Sequence, residues 1–80
     1  MIQHIACANI KKYRKQSGLT QDMVASLLNM SRTAYSQLEN GNSNITLVKL
    51  EQVAEALDVP WQLLLEHKAI DTYTINSFEE

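Results

Sequence analysis

Three times in this chain an apolar residue and a hydroxyl residue are followed, four positions after the hydroxyl, by a second apolar residue. The sets are Leu19-Thr20 with Val24, Met30-Ser31 with Tyr35, and Ile45-Thr46 with Leu50. A hydroxyl just ahead of a helix accepts a hydrogen bond from an orphan N–H of the first turn, and the flanking apolar pair staples the entry angle. One occurrence carries little weight. Three at this spacing predict three helix starts, and the stops agree with them. Gly18 follows a first helix running from near Gln3 to Ser17. Asn29, tolerant of positive φ, sits where the second helix must end, and Gly41 closes the third. Asp58-Val59-Pro60 separates a fourth helix from a short fifth that runs through about Glu66.

These limits put the second and third helices at about 20–29 and 31–40, with almost no turn between them. So tight a junction forces a sharp crossing, the helix-turn-helix arrangement. Periodicity marks the inward faces: Ala6, Ile10 and Tyr13; Val24, Ala25 and Leu28; Tyr35 and Leu38; Leu47, Leu50, Val53, Ala54 and Leu57; and Leu64. Trp61 is expected to cover the end of the fourth helix. Eighty residues make one all-α domain whose core is small enough to profit from a second copy.

The net charge of −2 is unhelpful for binding nucleic acid, but its distribution is not. Through Lys49 six basic residues (Lys11, Lys12, Arg14, Lys15, Arg32, Lys49) face two acidic ones (Asp22, Glu39), a balance of +4. From Leu50 onward Lys68 alone opposes seven acidic residues, a balance of −6. A phosphate backbone would meet the first half and be repelled by the second. No run approaches the roughly 18 apolar residues of a membrane span. Met1-Ile2-Gln3-His4-Ile5 lacks the marks of a signal peptide. Cys7, the single cysteine, can form no internal disulfide, so a cytoplasmic home is expected. His4 and Cys7 lie three apart, but no second cysteine or spaced carboxylate–histidine set completes a zinc site. No nucleophile–base arrangement or Gly-rich phosphate loop is present. Neither a metal, a cofactor nor an enzymatic activity is expected.

With Tyr35 and Leu38 inward, the outer face of the third helix carries Arg32, Thr33, Ser36, Gln37 and Asn40. Solubilising surfaces usually alternate Glu and Lys; this one offers uncharged hydrogen-bonding groups and one Arg. Major-groove base edges are donor and acceptor arrays, read by Arg on guanine and by Gln or Asn on adenine. Arg32, Thr33, Ser36 and Gln37 repeat at helical spacing toward the N-terminal end, which enters the groove in this motif. Asn42, Ser43 and Asn44 after Gly41 are polar and free of negative charge, as phosphate-positioning loops are. Gln21 stands in the first turn of the second helix, where an anion is already favoured.

Residues 10–65 resemble the Cro/CI-type helix-turn-helix family, also called the XRE family. The resemblance runs from Ile10-Lys11-Lys12-Tyr13-Arg14 through Gly18-Leu19-Thr20-Gln21, Val24-Ala25, Ser31-Arg32-Thr33 and Leu38-Glu39-Asn40-Gly41. It continues to Leu50, Val53-Ala54-Glu55-Ala56-Leu57 and Leu63-Leu64. It implies a five-helix, phage-repressor-like fold with the third helix in the major groove of duplex DNA. By this likeness base contacts fall on Arg32, Thr33, Ser36 and Gln37, and phosphate contacts on Gln21, Asn40, Asn42, Ser43 and Asn44. It also implies an ion pair between Arg14 and Glu39. Asn29 stands where the family usually has Gly, and Tyr35 where an aliphatic is common. Met23, Leu27 and Val48 fall where exposed polar residues are the rule, which suggests cover by a second protomer or by the tail.

The expected domain is 1–67, with 68–80 as a tail. Asp71 to Phe78 alternates in β-favouring types, with Tyr73 and Ile75 facing one way. A lone strand needs a partner edge, so Tyr73, Ile75 and Phe78 are expected to pair with a second copy in a dimer ribbon. The reading is a dimeric repressor of a palindromic operator. Its variants are an antitoxin that also binds a toxin and a controller of a restriction–modification system. The alternative of another class is a protein-interaction module without DNA binding.

Overall fold

A computed structural model describes residues 2–67 as four α-helices and a closing 3₁₀ helix. They are α1 (Ile2–Gln16), α2 (Gln21–Leu27), α3 (Arg32–Glu39), α4 (Leu47–Leu57) and the 3₁₀ helix Trp61–Leu65. The strand expected over 71–78, with Tyr73, Ile75 and Phe78, lies outside the described residues. The fifth helix is present, but as a 3₁₀ turn.

All three hydroxyl starts are made. Thr20 Oγ1 accepts from the Met23 N–H at 3.1 Å, Ser31 Oγ from Ala34 at 3.1 Å, and Thr46 Oγ1 from Lys49 at 3.0 Å. Met23 adds a second tie to the first of these, its sulfur accepting from the Thr20 N–H at 3.5 Å. That gives an exposed methionine a local role as the weak acceptor of a capping box.

The helix ends share one device. Gly18, Asn29, Gly41 and Asp58 all take positive φ, between 57° and 78°. At each, two reversed hydrogen bonds close the helix; at Asn29 they are Met30 N–H to Ala25 O (2.8 Å) and Asn29 N–H to Ser26 O (3.2 Å). The same pair of bonds recurs at Gly18, Gly41 and Asp58, so all four α-helices end in the Schellman pattern. Leu19 and Met30 follow such an end and precede the next N-cap, so each closes one helix and staples the next. Only four residues, 28–31, therefore separate α2 from α3.

α1 packs against α3, α4 and the 3₁₀ helix, α2 against α3 and α4, and α4 against the 3₁₀ helix. Tyr35, Ile10, Leu64, Val24 and Val53 are fully buried at the centre, while Tyr13 and Leu28 are half-buried against it. Asn9 fastens the last element, donating from Nδ2 to the carbonyls of Leu64 (2.9 Å) and Glu66 (2.8 Å). The inward stripe of α4 is Leu50, Val53, Ala54 and Leu57. Leu47, expected to belong to it, is 73% exposed. It is the first residue of α4, and the first turn projects past the elements that cover the rest. Trp61, expected as a cover, is 40% exposed and lines a shallow groove with Leu47, Val48 and Glu51.

Asn29→Gly should hold or raise the melting temperature, because Gly adopts positive φ without a Cβ penalty. Asn29→Val should lower stability by about 1–2 kcal/mol. Leu64→Ala, which empties a fully buried site, should cost about 2–5 kcal/mol. Thermal or denaturant unfolding reads all three.

Candidate nucleic-acid interface

α3 is oriented from behind by one carboxylate. Glu39, its last residue, is only 4% exposed and takes donors on both oxygens. Oε2 accepts from Arg14 Nε at 2.5 Å and from the Tyr35 hydroxyl at 2.6 Å. Oε1 accepts from Arg14 Nη2 at 3.2 Å and from Gln21 Nε2 at 3.1 Å. Arg14 also donates from Nη1 to the Leu19 carbonyl at 2.9 Å. Four donors fill the acceptor sites of a carboxylate, and they come from α1, α2 and α3 itself. Burial alone would raise the Glu39 carboxyl; the hydrogen bonds from Arg14, Tyr35 and Gln21 outweigh it and hold the group below the ordinary carboxylate range. The bond to Glu39 raises the Arg14 guanidinium, and burial followed by the same carboxylate raises the Tyr35 phenol. At neutral pH the cluster is therefore one anion, one cation and one neutral hydroxyl.

With Tyr35, Leu38 and Glu39 buried, the other side of α3 faces solvent. Arg32, Thr33, Gln37 and Asn40 are exposed and Ser36 is half-buried, so the five share one outward stripe. In the loop beyond, Asn42 and Asn44 are exposed and Ser43 is half-buried. Gln21 stands apart from this group in one respect: its amide is turned to Glu39. Arg32 Nε lies 4.0 Å from Asp22 Oδ1, a pairing of two well-exposed side chains. A contact so long and so wet contributes little and leaves Arg32 free to move to another acceptor.

Sequence reasoning placed Tyr35 inward without a partner for its hydroxyl; the Glu39 oxygen one helical turn later was the available signal. It also passed over Asn9 and Gln3. Cys7 is buried, its Sγ donates to the Leu38 carbonyl at 3.1 Å, and burial raises its thiol. Among the described residues no three His, Cys, Asp or Glu side chains gather as a metal site, and no helix is long and apolar enough to cross a membrane.

Two short helices joined by a four-residue turn, with the second held by a buried ion pair and showing a polar outer face, define a helix-turn-helix domain. The chain belongs to the helix-turn-helix family, whose pattern matches residues 10–64. It is a DNA-binding transcriptional regulator and not an enzyme. Its class as a transcriptional regulator accords with the names of its curated relatives. The control protein C.MunI of Mycoplasma sp is 39% identical over 51 residues, 62% of this chain and 69% of that protein. The HTH-type transcriptional regulator YqaF of Bacillus subtilis is 29% identical over 63 residues, 79% of this chain and 83% of its own. The regulator y4dJ of Sinorhizobium fredii is 36% identical over 52 residues, 65% of this chain and 68% of that one.

Because the folded Glu39 carboxyl lies below its unfolded value, its contribution is complete above the ordinary Glu value near 4.3. It is lost as pH falls through the depressed folded value. Glu39→Gln, which leaves Arg14 facing an amide, should cost about 3–5 kcal/mol at pH 7. The gap to the unaltered chain should narrow below about pH 4. Denaturant unfolding across pH checks both the size and the direction.

Proposed function

We propose that the chain acts as a homodimeric repressor of a palindromic operator, with the N-terminal half of α3 in the major groove. Arg32, Thr33, Ser36 and Gln37 read base edges in this account. Gln21, Asn40, Asn42, Ser43 and Asn44 meet phosphates. The observation that carries the reading is the outward stripe of α3, polar throughout and backed by the buried Arg14–Glu39 pair. Burying Arg14 against Glu39 leaves Lys11, Lys12, Lys15 and Arg32 exposed in the same half of the chain, where an acidic duplex would be met. Gln21 takes part on this reading with the Nε2 hydrogen that Glu39 does not occupy.

A second copy is supported by size and by surface. The domain 1–67 has a small core, and Met23, Leu27, Leu47, Val48 and Trp61 leave large apolar side chains exposed. Two recognition helices about 34 Å apart on one face of the duplex suit an inverted-repeat site. Of the finer variants, the controller of a restriction–modification system is favoured by the likeness to a protein named as a control protein. A cytoplasmic site of action follows from the duplex partner.

Affinity for a promoter fragment should fall steeply with added salt. Arg32→Ala should relax preference at a single base position and cost about 1–3 kcal/mol of specific binding. Titration against a library of single-position operator variants tests this; unchanged selectivity in Arg32→Ala would remove Arg32 from base reading.

A further inference from the structure

The N-terminal turns of α1 reach across to the end of α3 and the loop behind it. Gln3 Nε2 donates to the Gly41 carbonyl at 3.3 Å and to the Ser43 carbonyl at 3.1 Å. One amide nitrogen carries two hydrogens, so both bonds can be made at once. One turn further along α1, Cys7 takes the Leu38 carbonyl. The two segments are in ordinary contact: a Cβ on Gly41 would stand 3.8 Å from the His4 ring and 3.9 Å from the Cys7 sulfur. Gln3 lies outside 10–64, the stretch matched by the family pattern.

What the tie does follows from peptide geometry. No peptide bond among the described residues is cis. In a trans peptide the C=O of one residue and the N–H of the next point in opposite directions. Drawing the Ser43 carbonyl toward Gln3 therefore turns the Asn44 N–H away from α1, on an exposed residue. The Asn42 N–H, by contrast, is spent on the Gln37 carbonyl at 2.9 Å. The Asn44 N–H has no such internal acceptor among the described residues. The loop thus keeps its Gly41 and Ser43 carbonyl oxygens against the protein and offers a donor outward, the polarity an anionic phosphodiester requires.

We infer that Gln3 is a positioning residue for DNA-backbone recognition, pinning the Gly41 and Ser43 carbonyls so that the Asn44 N–H meets a phosphate of the duplex. The inference rests on the reading of the 42–44 loop as a phosphate contact. Gln3→Met keeps length and bulk while removing both donors, and Gln3→Ala repeats the test without bulk. Gln3 itself is not among the residues placed against DNA.

The experiment titrates the full nitrogen-15-labelled chain with a short mixed-sequence duplex and follows backbone amide shifts, with affinity and melting temperature measured alongside. In the unaltered chain the Asn44 amide should move strongly on binding. In both variants that response should vanish while the Thr33 and Gln37 amides still respond, and affinity should fall about tenfold. A lowered melting temperature with the Asn44 response intact and affinity within about twofold would make Gln3 merely structural and overturn the inference. A silent Asn44 amide in the unaltered chain would instead defeat the loop reading itself, and the inference with it.

Discussion

The fold depends most on the four hydrogen bonds that converge on the Glu39 carboxylate. A buried ion is costly unless every acceptor site is filled. Here two come from Arg14 on α1, one from Gln21 on α2 and one from Tyr35 on α3. The donors from Arg14 and Gln21 cross between elements, so the carboxylate sets α3 relative to the two helices behind it. Apolar packing around Tyr35, Val24 and Ile10 supplies the driving force but permits many near-equivalent packings. The directional network selects among them, and it does so on the side of α3 that is turned away from solvent.

Local chemistry explains how two short helices keep so abrupt a junction. Leu19 and Met30 each serve twice, after a left-handed residue and before a hydroxyl cap. The connection can then be no longer than the two motifs overlaid. This is why the architecture was readable from residue order: hydroxyl, glycine and asparagine act over four or five positions, and their spacing is visible in the chain. The outward stripe of α3 was legible for the same reason, since helical periodicity places Arg32, Thr33, Ser36 and Gln37 once Tyr35 and Leu38 are inward.

Partners distant in sequence were less accessible. Nothing near Gln3 or Asn9 announces that their amides meet carbonyls about forty and fifty-five residues away. Such contacts depend on where the loop and the 3₁₀ helix come to rest against α1. The donor from Gln21 to Glu39 is of the same kind. Leu47 shows the converse failure: its spacing from Leu50 is correct for burial, yet burial needs an element overhead, and periodicity alone does not say where cover ends. The Arg14–Glu39 pairing came from family likeness, and the hydroxyl of Tyr35 gives it an extra donor that an aliphatic residue there could not.

A net charge of −2 on a DNA-binding chain is reconciled by its distribution along the sequence: Lys11, Lys12, Lys15 and Arg32 are exposed on the half that carries α3, and most acidic residues fall on the half beyond it. The account turns on the solvent side of α3 being the surface that enters the groove. Nuclear Overhauser contacts between the bound chain and a duplex measure this directly. Contacts from the Thr33 methyl and the Gln37 side-chain protons to thymine methyls or cytosine H5 atoms, which line the major groove, are the predicted result. Contacts arising instead from α4 or the 3₁₀ helix, with the α3 side chains remote from every base, would contradict it.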